Sequence, residues 1–363
     1  MAYTTIDDPS EYFQTALYTG NAGTNNIVND GNSDLQPDWV WIKNRSTSGK
    51  DHGLFDSSRG TTKQLNSNNT NAENTVSTSL TAFNSDGFTL GADGGPNANS
   101  DSHVAWQWKA NGGTTTSQTG SDIDSVTQAN TTSKFAIITY TGASNADSDS
   151  DNNSGAYWRV KHGLGSTPKL AIFKKRSSAA AWYVWHHKLG GTQDHKYLQL
   201  QGTNAVATES DILFGNTAWS STEFEIGGWD VVNRDGTTYV AYMFDEVKGY
   251  SKFGVYKGNG NNDGPFVYTG FKPAWVMYKR SSDTGNWRIL DNKRNTVNPI
   301  NNEIYADLNN AEAQDTQMGF YANGFKLRNG SSVGQNGNGS TYIYIAFAEH
   351  PFVSSEGVPV TAR

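Results

Sequence analysis

The sequence predicts an all-β protein made of three tandem antiparallel β-sandwich repeats. Three observations lead there. A strand-like run ending in basic residues occurs three times, the landmarks after it keep their spacing, and short alternating runs bounded by turn dipeptides dominate the chain. The basic runs are Trp39-Val40-Trp41-Ile42-Lys43-Asn44-Arg45, Leu170-Ala171-Ile172-Phe173-Lys174-Lys175-Arg176 and Ala274-Trp275-Val276-Met277-Tyr278-Lys279-Arg280.

Each repeat opens with a Tyr-x-Gly turn, at Tyr18-Thr19-Gly20, Tyr140-Thr141-Gly142 and Tyr256-Lys257-Gly258. The basic run follows, then a Phe-x-hydrophobic pair at Phe88-Thr89-Leu90, Phe224-Glu225-Ile226 and Phe325-Lys326-Leu327. A closing strand places Ala before an aromatic: Ala105-Trp106, Ala241-Tyr242 and Ala346-Phe347. From Lys to Phe is 45, 50 and 46 residues, and from Phe to Ala 17, 17 and 21. Domains are therefore expected at 1–112, 134–250 and 251–363, the last with a C-terminal tail. A Gly/Ser/Thr-rich linker is expected at 113–133. The second repeat is lengthened by the Asp-rich stretch 145–155, an insertion that a surface turn tolerates.

Strand runs such as Thr238-Tyr239-Val240-Ala241-Tyr242-Met243-Phe244 combine β-branched and aromatic residues. Asp86-Gly87, Asp235-Gly236 and Asn323-Gly324 mark tight turns. The best helix-period stretch, 309–317, is short. Apolar residues make up only 35% of the chain, so small cores need large side chains; 11 Trp, 17 Tyr and 16 Phe supply them. The absence of cysteine excludes disulfides, Cys-based zinc sites and a Cys nucleophile. A net charge of −7 without a Lys/Arg block argues against nucleic-acid binding. No segment has transmembrane length and Met1-Ala2-Tyr3-Thr4-Thr5 does not begin a secretion signal, so cytoplasmic synthesis without membrane insertion is expected.

Several long strings carry a resemblance. They include Asp7-Asp8-Pro9-Ser10-Glu11-Tyr12-Phe13, Lys161-His162-Gly163-Leu164-Gly165, Gly249-Tyr250-Ser251-Lys252-Phe253-Gly254 and Gly264-Pro265-Phe266-Val267-Tyr268-Thr269-Gly270-Phe271. Over nearly its whole length the chain resembles virion structural or tail-fibre-like proteins of tailed phages, particularly marine ones. The resemblance implies repeated lectin-like, jelly-roll-type or SPRY-like sandwiches and a non-enzymatic role in host attachment. It also implies a virion location, other virion proteins as partners, assembly as a homo-oligomer (a trimer), and a host-surface glycan as ligand. The alternatives are a capsid-decoration or head-fibre protein and, further off, a glycan depolymerase. The chain departs from a fibre in having no heptad or collagen-like shaft.

Candidate sites are few. Trp219 and Trp229, near Glu223 and Glu225, are the candidates for glycan or receptor contact. Aromatic faces beside polar groups suit sugar rings, with a place in the core as the alternative for the two Trp; a depolymerase needs two opposed carboxylates, for which Glu223 and Glu225, on one strand face, are the pair on offer. Asp147, Asp149 and Asp151 alternate as Ca²⁺ ligands do, but the position of a terminal bidentate Glu is Trp158. His186 and His187 are adjacent, hence on opposite strand faces, and with His195 make no clear ligand set. No cofactor and no metal are expected. The repeated positions Lys43, Arg45, Lys174, Arg176, Lys279 and Arg280 read as structural, as do the pairs Asp56–Arg59 and Asp291–Arg294. The second repeat has His186 and Leu189 in place of such a pair.

Overall fold

The computed structural model describes residues 2–143, 156–209, 213–330 and 332–360. The chain is all-β. Among the described residues the only α-helix is the single turn Val333–Asn336. Much of 309–317, the best helical pattern, instead joins the strand Ala313–Tyr321.

One four-strand order occurs three times: opening strand, closing strand, basic strand, following strand. In repeat 1 these are Phe13–Thr19, Ser102–Trp108, Trp39–Asn44 and Gly53–Asp56, all antiparallel. In repeat 2 they are Phe135–Thr141, Thr238–Phe244, Leu170–Lys175 and Trp182–His186. In repeat 3 they are Ser251–Lys257, Thr341–Pro351, Phe271–Arg280 and Arg288–Asp291. A second layer carries the Phe-x-hydrophobic pair. It is Asn25–Ile27, Phe88–Leu90 and Leu80–Phe83 in repeat 1, and Trp158–Lys161 with Glu223–Ile226 in repeat 2. In repeat 3, Phe266–Tyr268, Gly324–Leu327 and Ala313–Tyr321 form it, continuous with the main sheet through Ile300–Tyr305.

The basic strands are apolar on both faces because both faces are buried. With period-two alternation, Val40 and Ile42, Ala171 and Phe173, and Val276 and Tyr278 point into three separate cores, one under each second layer. Trp39 and Trp41, Leu170 and Ile172, and Trp275 and Met277 point the other way, into one cluster shared by all three repeats. There Trp39 stacks on Tyr242 (centroids 4.4 Å apart), Phe13 on Phe347 (5.4 Å), and Phe244 packs against Phe347 (5.7 Å). Every pair of repeats is thus joined by aromatic contact.

Residues 113–133 are not a free linker. Thr116–Gln118 and Ser125–Asn130 extend the sheet of repeat 2 beyond its opening strand. The fully buried Gln128 reaches back to Ser57 and Ser58 of repeat 1. Ile123, Ser125 and Thr127 are buried while Asp124 and Val126 between them are exposed, so a polar composition is compatible with strand pairing here.

The register also corrects the alignment of repeat 3. Trp41 pairs with Trp106 and Ile172 with Tyr242, but Met277 pairs with Ile345, two residues before Phe347. A two-residue slip keeps every side chain on the same face, so hydrophobic pattern alone could not detect it.

The Tyr-x-Gly turn has one cause in all three copies. Its tyrosine stacks on the cross-strand ring of His103, Tyr239 or Tyr342, with centroids 5.0, 5.2 and 4.9 Å apart. Its glycine lies against a backbone carbonyl: a Cβ on Gly20, Gly142 or Gly258 would stand 2.0, 2.1 or 2.3 Å from the oxygen of Ala98, Arg234 or Gly337. The missing Cβ, not a left-handed φ, is what the position requires. Gly142→Ala is expected to lower the unfolding free energy by about 1–3 kcal/mol, because backbone must move to admit the methyl. A urea midpoint unchanged from the parent would refute this.

Candidate functional site

The repeated polar residues converge on the joints between repeats. Lys43, Lys174 and Lys279 project on the same strand face as the shared aromatic core and are wholly buried. Each ammonium donates to a backbone carbonyl of the preceding repeat: Lys43 to Asn309 (3.5 Å), Lys174 to Thr70 (3.0 Å), Lys279 to Thr203 (3.0 Å). The same three carbonyls accept the backbone N–H of Gly49, Ala180 and Gly285. Repeat 1 therefore holds repeat 2, repeat 2 holds repeat 3, and repeat 3 holds repeat 1. Head-to-tail contacts that close in this way form a ring, here with approximate threefold symmetry inside one chain. Burial pushes all three lysines down to about 8.

Two joints carry a charge network. Arg59 is bound by Asp56 and, at 3.0 Å, by Glu73, which also takes Arg176 of repeat 2. Tyr242 of repeat 2 donates to Asp56 at 2.7 Å. The joint from repeat 3 to repeat 1 copies it: Arg294 pairs with Asp291 (2.6 Å) and Glu312 (2.9 Å), Glu312 takes Arg45, and Trp106 donates to Asp291 (2.9 Å). Burial opposes the charge on Arg59 and Arg294, and the surrounding carboxylates outweigh it, holding both guanidinium groups above their ordinary range.

The joint from repeat 2 to repeat 3 has exchanged the network as a set. His186 stands at the Asp position, Leu189 at the Arg, Val206 at the Glu, Ser281 at the receiving Arg and Ile345 at the Trp or Tyr donor. The matching backbone bonds fix these equivalences: Glu73 to Arg176, Glu312 to Arg45, Val206 to Ser281. Ser281, not Arg280, is thus the third-repeat counterpart of Arg45 and Arg176; Arg280 pairs locally with Asp283 at 3.1 Å. Removing all members together leaves no buried charge unpaired, which is the only inexpensive way to lose such a network. Glu73 and Glu312 were not evident in the sequence because they follow Arg59 and Arg294 at unequal distances, 14 and 18 residues.

The glycan candidates divide. Trp219 is a core residue, 5% exposed, packed against Phe173, Trp185, Phe214 and Phe224, with its indole N–H donated to the Glu225 carbonyl. Its ring is not offered to a ligand. Trp229 is half-buried against Tyr183 and Tyr197. Glu225 accepts from the Thr217 N–H (3.0 Å) and pairs with Arg159 (3.5 Å), while Glu223 accepts from Ser121. Both carboxylates are in use as structural acceptors. Asp147, Asp149 and Asp151 lie outside the described residues. His186 and His187 turn to different carbonyls, of Tyr344 and Phe253. Among the described residues no group of three or more His, Asp or Glu is placed to hold a metal, and no helix is long and apolar enough to cross a membrane.

A cavity of about 600 Å³ opens between repeats 1 and 3 and is lined by polar groups including Asp8, Asn32, Lys272, Asn292, Asn298 and His350. Its aromatic lining residues Phe13 and Phe320 are 3% and 4% exposed, so neither presents a ring face. The outer face of the second layer, by contrast, differs completely among repeats. At equivalent paired positions stand Asn26 and Thr89 in repeat 1, Arg159 and Glu225 in repeat 2, and Phe266 and Lys326 in repeat 3.

No curated protein and no solved structure matches the chain. One family does, described as a domain of unknown function (DUF7483), over residues 8–351. That span takes in all three repeats and the closed ring they form, so the chain belongs to the DUF7483 family.

Proposed function

We propose that the chain is a non-enzymatic structural protein of a phage virion, a tail-fibre or tail-associated component that attaches the particle to its host. The observation that carries this reading is the division of labour among the polar residues. The charged network shared by two repeats is spent on the joints, while the outer positions of the second layer carry a different set in each repeat. A fixed frame with variable surfaces suits recognition, whereas an enzyme would need a convergent, unsatisfied constellation. The resemblance of the sequence to tail-fibre-like proteins supplies the virion context. Other virion proteins, further copies of the chain and a host-surface glycan are the partners on this reading.

Capsid decoration is the second reading, favoured by the compact ring. Quantitative mass spectrometry of purified particles tests both. A copy number in step with the tail's symmetry supports the first, one in step with the capsid lattice supports the second, and absence from particles overturns both. A depolymerase would release reducing ends from host polysaccharide and lose that activity in Glu223→Gln. The expected result is no release.

A further inference from the structure

We infer that the outer face of repeat 3's second layer is a saccharide-binding platform, built from Phe266, Tyr268 and Tyr321; this rests on the attachment reading above and gives it a location.

The geometry starts from two glycines. Phe266–Tyr268 is the edge strand, paired so that Phe266 faces Lys326 and Tyr268 faces Gly324, while the next strand brings Tyr321 opposite Gly324 and Gly319 opposite Lys326. Val267 points into the core and its two neighbours point out, 44% and 56% exposed. A Cβ on Gly324 would stand 2.9 Å from the tip of the Phe266 ring, and one on Gly319 within 2.6–2.8 Å of the Tyr321 ring and hydroxyl. The two rings therefore occupy the space that side chains at Gly324 and Gly319 would fill. The Phe266 ring reaches over Gly324 and the Tyr321 ring over Gly319, tilted 52° to one another. Their centroids are 6.3 Å apart.

Directional polar groups surround this aromatic floor. Lys326 pairs with the exposed Asp263, Arg328 sits over the Tyr321 ring and bonds its hydroxyl, and the Tyr268 hydroxyl meets that of Tyr3 at 3.2 Å. A pyranose presents a flat C–H face with hydroxyls at its rim, and the arrangement here is its complement. A second copy of the chain is a poorer occupant. The edge strand is only three residues long and follows Gly264-Pro265, which leaves little ladder to extend. The other repeats serve as internal controls. At the positions of Phe266, Tyr268 and Lys326 repeat 1 has Asn26, Val28 and Thr89, and repeat 2 has Arg159, Lys161 and Glu225, while Asn84 follows Phe83 in repeat 1 where Tyr321 follows Phe320. The core residue between the outward pair is conserved in kind (Ile27, Val160, Val267), so the fold does not demand the aromatics.

The full chain is screened on a printed array of bacterial surface oligosaccharides, and the strongest binder is then titrated free and followed by saturation-transfer NMR. Transfer to ring C–H protons is expected. Phe266→Ala with Tyr268→Ala should weaken binding about tenfold or more, the scale of losing one or two ring contacts, while the double variant keeps the parent's circular dichroism and a cooperative unfolding transition. Asn26→Ala in repeat 1 should bind as the parent does. No binder on the array, or binding undiminished in the double variant, overturns the proposal. So does concentration-dependent dimerisation in light scattering that the double variant abolishes, since the face would then be a self-interface. The isolated chain is used throughout, so this result and the protein's presence on particles fail or succeed separately.

Discussion

Asp291→Ala is expected to reduce the unfolding free energy by roughly 3–5 kcal/mol, the cost of stranding a buried charge. Asp291 and Arg294 have side chains with no exposure at all. The carboxylate accepts from the Arg294 Nε (2.6 Å), the Arg294 backbone N–H (2.8 Å) and the Trp106 indole of the next repeat (2.9 Å). Its removal leaves the guanidinium with Glu312 and the Ile289 carbonyl alone, and orphans an indole N–H. Adding Arg294→Leu should restore at least half of the loss, because the second change removes the uncompensated charge and reproduces the apolar solution that His186 and Leu189 already represent in repeat 2. Urea unfolding of the single and double variants measures both numbers. A single variant within about 1 kcal/mol of the parent, or a double variant no better than the single, would show that the network does not hold the joint.

The same contrast between joints explains what the sequence made legible. Strand runs and Tyr-x-Gly turns were readable because each is a local pattern imposed by burial on both faces and by a carbonyl against a glycine. The pairing of Asp56 with Arg59, and of Asp291 with Arg294, was readable because each is three residues apart. Their function as ring closures was not, since Glu73, Glu312, Tyr242 and Trp106 join them only through the tertiary fold. The polar sequence neighbours of Trp219 left a surface reading open beside the core one. Its neighbours in space are Phe173, Phe214 and Phe224. Phe266 and Tyr268, within an apolar-looking run, proved to be the exposed rings. Polarity along a loop says little about which way a large side chain turns when the sheet beneath it supplies the core.

Acidification is expected to open the ring through its histidines, with Asp307, pushed up to about 7 by burial, taking its proton first in the folded chain and offsetting part of the loss. His52, His186 and His162 are each buried and held neutral, pushed down to about 3, 3 and 4 by desolvation; the charge of Lys43 adds to the effect on His52 and that of His187 to the effect on His186. Their hydrogen bonds share one design. Nδ1 accepts an N–H, from Trp41 (2.8 Å), Lys188 (3.1 Å) or Leu164 (3.1 Å), and Nε2 donates to a carbonyl: Tyr305 for His52, Tyr344 for His186, Ser220 for His162. A second proton would sit on Nδ1 and face another donor. The folded-state values lie below the unfolded value near 6.5, so in the window between them the unfolded chain binds more protons and stability falls with falling pH. The histidines' share of the stability is therefore complete above about pH 6.5 and is lost progressively towards pH 3, with roughly 2–3 kcal/mol gone per histidine by about pH 4.5. For three groups that is comparable with the whole stability of an ordinary domain. His52 bridges repeats 3 and 1 and His186 bridges repeats 2 and 3, so two of the ring's three joints should fail together. Urea unfolding between pH 7 and 4.5 should yield a steep fall, and His186→Asn should make it shallower by about 1.4 kcal/mol per pH unit, one proton's worth. A flat profile down to pH 4.5, or a variant with the parent's slope, would place the acid sensitivity elsewhere.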